Sequence, residues 1–276
     1  MKPLLLSAAI IFVATPRLWA GSTTAFQLGD QGGVLVPVMV NGHGPFLMLL
    51  DTGATHSAVT ERVVHATGAT AVARSNVISP TDVTIRTIVA IDELSFGPHT
   101  VDLVLPSVVP DGSFDAHGRI MGLIGQDVLA WMRYTLDFRK RVIEWHTDTP
   151  PSAGARLTLA FEHGRFLVTL PQQDRTLRLV PDSGAGGLVL FADGVNARPN
   201  IVDTGRTVEL SSAGSRRTGR HITIRELRLG DRTLRNVPAV ALDRPHTIPA
   251  EGDGLLPLHL FERVTFDGPA RLLIVG

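Results

Sequence analysis

The strongest constraint on the fold of this chain is an internal repeat that spans nearly its whole length. When the sequence is shifted by 131 residues, residues 34–51 lie over residues 165–182 without a gap. Three further landmarks recur in the same order, and their offsets differ from this one by at most two residues. They are Glu93-Leu94-Ser95-Phe96-Gly97 with Glu226-Leu227-Arg228-Leu229-Gly230, Gly122-Leu123-Ile124 with Gly254-Leu255-Leu256, and Leu136-Asp137 with Phe266-Asp267. The repeat predicts two versions of one folding unit.

Each unit is built from short apolar runs with turn signals between them. Strand-like runs occupy residues 34–40, which are rich in β-branched residues, and residues 46–50, 85–91, 100–105 and 141–145. Asn41-Gly42 between the first two runs is a strong hairpin signal. Helical patterns are restricted to residues 58–66 and 126–132. This pattern predicts an all-β protein with few short helices.

Asp51 and Asp182 are the candidate catalytic residues, and each follows an apolar strand. If the two units pack about a pseudo-twofold axis, the two carboxyl groups face each other. Two like charges a few ångströms apart cannot both ionise, so the pair shares one proton. Such a pair can activate a water molecule for direct attack on an amide, without a covalent intermediate. We therefore expect neither a metal nor a cofactor.

The residues after each aspartate have supporting roles in this hypothesis. Gly53 and Gly184 allow the backbone to turn sharply and to approach its counterpart closely. Thr52 and Ser183 are expected to hold the two loops together through hydrogen bonds of their hydroxyl groups.

The sequence resembles aspartic proteases of the retropepsin and pepsin group. The resemblance is carried by Leu49-Leu50-Asp51-Thr52-Gly53-Ala54-Thr55, Gly122-Leu123-Ile124-Gly125-Gln126-Asp127-Val128-Leu129, Asp182-Ser183-Gly184-Ala185 and Gly254-Leu255-Leu256. It implies two similar β-barrel lobes related by a pseudo-twofold axis, like a retropepsin dimer fused into one chain, and a monomer that acts as a pseudo-dimer. The lobes would span residues 21–149 and 155–276, and the substrate would be an extended polypeptide held between them.

In such folds a hairpin covers the cleft as a flap. By position, the candidate flap residues are Pro80 and Thr81 in the first unit and Gly214 and Ser215 in the second. The alternative interpretation is that both segments are ordinary surface turns.

Composition excludes several other classes of protein. The chain has no cysteine, which excludes disulfides, thiol catalysis and zinc bound by cysteine. Its formal net charge is zero, so no basic balance points to nucleic acid. The ten histidines show no spacing typical of a metal site.

The first twenty residues predict an exported protein. Lys2 precedes an almost entirely apolar run from residue 3 to residue 14, and Ala20 ends a segment typical of a cleavage site. We interpret residues 1–20 as a signal peptide cleaved near Ala20, which places the mature protein in the periplasm or outside the cell. An uncleaved anchor is the alternative.

Three features argue against interpreting the chain as an active single-chain protease. Asp203-Thr204-Gly205 is a third copy of the tripeptide outside the repeat register, and we predict that it is a loop. In the second unit Pro181 stands in place of Leu50, and Pro257 in place of Gly125. Two alternatives to an active single-chain protease therefore stay open. One is a peptide-binding protein with the same fold and no activity, and the other is an intermolecular dimer through the first unit.

Overall fold

A computed structural model describes residues 23–78, 83–148, 153–173, 175–191, 200–212, 215–244 and 252–276. The predicted signal peptide and the candidate flap residues Pro80, Thr81 and Gly214 lie outside the described residues. Within the described part of the chain, no helix has both the length and the apolar character needed to cross a membrane.

The first half of the chain folds into short strands and two short helices. The strands are β1 (Thr23–Ala25), β2 (Gln27–Leu28), β3 (Val34–Val40), β4 (His43–Leu50), β5 (Ala58–Thr60), β6 (Thr70–Ile78), β7 (Val83–Phe96), β8 (His99–Val104), β9 (Ser107–Val109), β10 (Gly122–Ile124), β11 (Arg133–Asp137) and β12 (Val142–Trp145). The helices are α1 (Glu61–Thr67) and α2 (Gln126–Leu129). Asn41 and Gly42 have φ angles of 48° and 74°, as the tight turn between β3 and β4 requires.

The second half repeats this pattern. Its strands are β13 (Ala155–Glu162), β14 (Arg165–Pro171), β15 (Thr176–Asp182), β16 (Leu188–Phe191), β17 (Ile201–Ser212), β18 (Ser215–Leu229), β19 (Arg232–Leu242), β20 (Gly254–Pro257), β21 (Arg263–Asp267) and β22 (Leu272–Val275). A 3₁₀ helix, Leu258–Leu260, follows β20 in the place that α2 has after β10. The prediction of an all-β, two-lobe fold is confirmed.

The predicted helix over residues 58–66 was wrong at its start. Ala58–Thr60 form the strand β5, which pairs parallel with β9 and antiparallel with β10, and the helix begins only at Glu61. All three strand residues are buried, so sheet pairing outweighs the helical pattern. The second predicted helix, over residues 126–132, ends earlier than expected, at Leu129.

The strand that leads to each aspartate has the same neighbours in both lobes. In the first lobe, β4 lies parallel to β10, which is antiparallel to β5. In the second lobe, β15 lies parallel to β20, which is antiparallel to β16. The Gly-Leu-Ile and Gly-Leu-Leu motifs of the repeat are therefore the strands that flank the two aspartate strands.

A shared strip of sheet joins the lobes, in the strand order β1-β12-β11-β21-β22-β13. At its centre β11 and β21 pair antiparallel, with Thr135 opposite Thr265 and Tyr134 opposite Phe266. The two threonine hydroxyls lie 2.8 Å apart, and the Tyr134 and Phe266 rings stack with centroids 5.5 Å apart. This nearly symmetric seam sets how the two lobes face each other.

An aromatic cluster in the first lobe encloses a buried histidine. The ring of His99 lies 4.5 Å from that of Trp145 and 6.0 Å from that of Phe96, and the residue is only 2 % exposed. Neither of its ring nitrogens has a hydrogen-bond partner among the described residues. Burial lowers the pKa of His99 to about 4.

We expect His99 to make the fold less stable in acid. Because the folded pKa is below the usual value of 6.5, the unfolded chain binds a proton between about pH 6.5 and pH 4 that the folded chain does not. The free energy of unfolding should fall by roughly 1–3 kcal/mol as the pH drops through this window. Denaturant titrations from pH 4 to pH 7 measure this slope.

His99→Phe should remove that part of the pH dependence because the ring can no longer titrate. His117→Phe, at an exposed histidine, is the matched control and should keep the slope. An unchanged slope in the His99 variant would show that other groups cause the acid sensitivity.

Candidate active site

The two aspartates stand at the carboxyl ends of equivalent strands. Asp51 directly follows β4, and its backbone N–H donates to the Ile124 carbonyl at 2.9 Å. Asp182 is the last residue of β15 and lies opposite Pro257 of β20. In both lobes a parallel neighbouring strand thus fixes the point at which the aspartate loop begins.

Each carboxyl group is held by its own loop in the same way. Oδ1 of Asp51 accepts hydrogen bonds from the N–H groups of Gly53 at 2.9 Å and Ala54 at 3.1 Å. Oδ1 of Asp182 accepts them from Gly184 at 2.7 Å and Ala185 at 2.9 Å. These bonds orient the two side chains.

The two carboxyl groups meet across the junction of the lobes, where their side chains are hydrogen-bonded to each other. The glycines of the loops make this approach possible. A Cβ added to Gly53 would lie 2.5 Å from Cγ of Asp182, and one added to Gly184 would lie 3.0 Å from Cγ of Asp51. Each glycine therefore packs directly against the aspartate of the other lobe.

Thr52 and Ser183 tie the loops together through four hydrogen bonds, all of them buried. The N–H of each residue donates to the hydroxyl oxygen of the other at 3.0 Å. The Thr52 hydroxyl donates to the carbonyl of Pro181 at 2.8 Å, and the Ser183 hydroxyl donates to that of Leu50 at 2.5 Å. The arrangement is reciprocal, so neither lobe can form it alone.

Pro181 causes less disruption than its position next to Asp182 suggests. Along β15 the pairing with β14 ends at Leu179, so the missing N–H of Pro181 removes no bond from that ladder, and Pro181 lies opposite Leu256 of β20. Its carbonyl still accepts the hydrogen bond from Thr52. The divergent second lobe therefore keeps the cross-lobe hydrogen bond at this point, whereas the ladder that pairs Leu50 with Val34 in the first lobe has no counterpart.

Electrostatics at the site favour a shared proton. Burial raises the pKa of Asp182 well above its usual range, and the nearby negative charge of Asp51 raises it further. Burial also raises the pKa of Asp51, but the N–H groups of Gly53 and Ala54 and the positive charge of Arg165 oppose this shift. The pair therefore holds a proton at a pH where isolated carboxyl groups have lost theirs.

Sequence reasoning assigned no role to the polar residues at the start of α2. Nε2 of Gln126 donates to the Thr52 carbonyl at 2.8 Å. The Asp127 carboxylate accepts from the N–H of Ser57 at 2.9 Å and from its hydroxyl at 2.8 Å. Both contacts hold the first aspartate loop in place. The sequence feature that could have identified them is the Gln126-Asp127 pair directly after Gly125.

The third Asp-Thr-Gly tripeptide has a different environment. Asp203 was predicted to lie in a loop but belongs to the strand β17, where pairing with β18 is irregular between Asp203 and Thr207. Its carboxylate accepts a 2.9 Å hydrogen bond from the N–H of Gly205 and pairs with Arg220 at 2.5 Å. Both interactions lower the pKa of Asp203. Asp203 is therefore an exposed carboxylate held in the charged form, whereas burial raises the pKa of both Asp51 and Asp182.

The candidate flaps can be compared only in part. The strands β6 and β7 pair antiparallel in the first lobe, and β17 and β18 do so in the second. Ser215 is the first residue of β18, whereas Pro80, Thr81 and Gly214 lie outside the described residues. The flap role of all four residues stays a prediction.

Metal-binding groups are not gathered at this site. Within the described ranges, no three histidine, aspartate or glutamate side chains are placed to hold one ion. The chemistry that the arrangement can support is the exchange of protons between two carboxyl groups and a bound water molecule.

Comparison with known protein families gives a match in each lobe. Residues 36–128 and residues 168–259 each match a family model described as aspartyl protease. Each matched segment contains one of the two aspartate loops, and together they cover more than half of the chain. No curated protein matches the chain.

Proposed function

Because the chain belongs to the aspartyl protease family, we propose that it is an exported endopeptidase that hydrolyses polypeptides with Asp51, Asp182 and one water molecule. Membership of the family implies a polypeptide substrate. The observation that carries the proposal is the pair of hydrogen-bonded carboxyl groups, Asp51 partly buried and Asp182 buried, which two lobes of one chain supply together.

The reaction follows from a pair that holds a single proton. The ionised carboxylate takes a proton from water as the water oxygen bonds to the carbonyl carbon of the substrate, and the protonated carboxyl gives its proton to the carbonyl oxygen. The C–N bond of the resulting diol then breaks. The nitrogen takes the proton held by the first carboxyl, and the second regains one from a diol hydroxyl.

The geometry supports the positioning that this chemistry needs. Backbone N–H groups hold one oxygen of each carboxyl, and the hydroxyls of Thr52 and Ser183 hold the two loops. Catalytic groups fixed in this way need little rearrangement on the path to the transition state. An extended substrate would lie between the lobes and be bound partly through its main chain.

We also propose that the protein acts as a monomer. The seam between β11 and β21 joins the two lobes within one chain, and each lobe supplies one aspartate to the site. Export rests on the N-terminal sequence. Size-exclusion chromatography of active protein and N-terminal sequencing of the mature chain test these two points.

The experiment for the activity uses the purified protein and a mixture of unstructured peptides at pH 3 to 8, with cleavage products identified by mass spectrometry. We expect internal cleavage with release of new amino and carboxyl termini. Peptide binding without turnover at every pH in this range would overturn the proposal and indicate a binding protein with the same fold.

A further inference from the structure

Each aspartate loop lies against a turn of the opposite lobe. A Cβ added to Gly164, in the turn between β13 and β14, would lie 3.5 Å from Cβ of Thr55 in the first loop. In the first lobe, a Cβ added to Gly33 would lie 3.6 Å from the Gly184 carbonyl oxygen of the second loop. These two glycines are 131 residues apart and so occupy equivalent positions.

The residue after each of these glycines breaks the symmetry of the site. Val34 follows Gly33, is fully buried and donates its N–H to the Ser183 carbonyl at 3.2 Å. Arg165 follows Gly164 and is partly buried at the equivalent place beside the first loop. One aspartate loop therefore has an apolar neighbour from the opposite lobe, and the other has a permanent positive charge.

The charges around the pair are correspondingly unequal. Burial raises the pKa of Asp51, and the N–H groups of its own loop and the positive charge of Arg165 oppose that rise. Asp182 faces the N–H groups of its own loop and the negative charge of Asp51, which raises its pKa. His259 of the 3₁₀ helix is hydrogen-bonded to the backbone of Ala185, and burial lowers its pKa, so it adds no balancing charge at neutral pH.

We propose that Arg165 gives the two aspartates different roles. It holds the negative charge on Asp51 and leaves the shared proton on Asp182. The inference rests on the proposed function and deepens it. Asp51 is then the base that takes the proton from water, and Asp182 is the acid that protonates the carbonyl oxygen of the substrate. Arg165 is a positioning residue, because it acts through Asp51 and does not touch the reacting atoms.

The test follows each carboxyl group directly by ¹³C NMR of aspartate-labelled protein as the pH is raised. Asp51→Asn and Asp182→Asn assign the two signals. In the unmodified protein the Asp51 signal should show ionisation at a lower pH than that of Asp182. In Arg165→Met the order should be lost, whereas Arg165→Lys, which keeps the charge, should retain it.

Activity supplies a second readout. The acidic limb of the pH profile of kcat/KM should move up by about one pH unit in Arg165→Met, because a neighbouring cation typically lowers a carboxyl pKa by one unit or more. Arg178→Met is the matched control. Arg178 lies in the same β14–β15 hairpin as Arg165 and pairs with Glu162 at 2.6 Å. Its replacement should change neither the NMR order nor the pH profile.

The outcomes separate the inference from the proposed function. Ionisation of Asp182 before Asp51 in the unmodified protein, or an unchanged order in a folded Arg165→Met variant, would overturn the role of Arg165. If the variant does not fold, as judged by circular dichroism, the order in the unmodified protein and in Arg165→Lys decides the question. If the NMR order is as expected but no peptide is cleaved, the role of Arg165 stands and the proposed protease function fails.

Discussion

Asp51→Asn and Asp182→Asn are each expected to lower kcat/KM for peptide cleavage by about 10²–10⁴-fold, the typical contribution of general acid–base catalysis. Asparagine keeps the Oδ1 acceptor that two backbone N–H groups hold in each loop, so the geometry should survive. It cannot exchange the shared proton. The double variant should be little worse than either single variant, because the two residues act as one unit.

Asp203→Asn is the matched control for these substitutions. It changes the same residue type in the same tripeptide, but the side chain is exposed and paired with Arg220. Cleavage should therefore continue at an unchanged rate. Residual activity near the original level in either Asp51→Asn or Asp182→Asn would contradict the proposed mechanism.

The same variants offer a readout that does not depend on activity. The raised pKa of Asp182 means that the folded chain keeps a proton that the unfolded chain releases above about pH 4. The folded state therefore loses stability as the pH rises through the window between the unfolded and the folded pKa. Asp182→Asn removes this penalty, so its free energy of unfolding at pH 7 should exceed that of the original protein.

Thr52→Val should have the second large effect, on both stability and activity. The substitution keeps the shape of the side chain but leaves the Pro181 carbonyl and the Ser183 N–H without the partner they have at 2.8 Å and 3.0 Å. Each buried polar group left unpaired costs about 1–3 kcal/mol, so the free energy of unfolding should fall by about 2–6 kcal/mol. Guanidinium titrations measure this loss.

The effect on activity follows from geometry. The hydroxyls of Thr52 and Ser183 hold the two loops, so loss of one should let the carboxyl groups separate and lower kcat/KM. Thr52→Ser is the control, because serine is the residue that the second lobe has at this position and it keeps the hydroxyl. We expect it to lose about 1 kcal/mol for the missing buried methyl group. Equal stability of the valine and serine variants would show that the cross-lobe hydrogen bonds contribute little.

The repeat made much of the site predictable from the sequence. The hydrogen bonds between Thr52 and Ser183 join residues 131 apart, which is the offset of the repeat itself. In a pseudo-symmetric pair of lobes, equivalent residues near the axis approach each other. The repeat register therefore indicated which residues meet before any tertiary structure was known.

Other features depended on contacts that no local pattern contains. The residues of β5 carry a helical pattern, but they are buried between β9 and β10 and form a strand. Asp203 has the same tripeptide as the site, yet the N–H of Gly205 and the side chain of Arg220 on the neighbouring strand lower its pKa. The importance of Arg165 emerges only from the packing of its hairpin against the opposite lobe.

The sequence by itself determined that this protein has two related all-β lobes and that each contributes an aspartate, because strand patterns and turn signals are local and the duplication repeats them in register. Only the tertiary structure decided how deeply each of the two carboxyl groups is buried and how their surroundings differ. Proton affinity depends on burial and on charges within a few ångströms, and at this site those charges come from residues far apart in the chain.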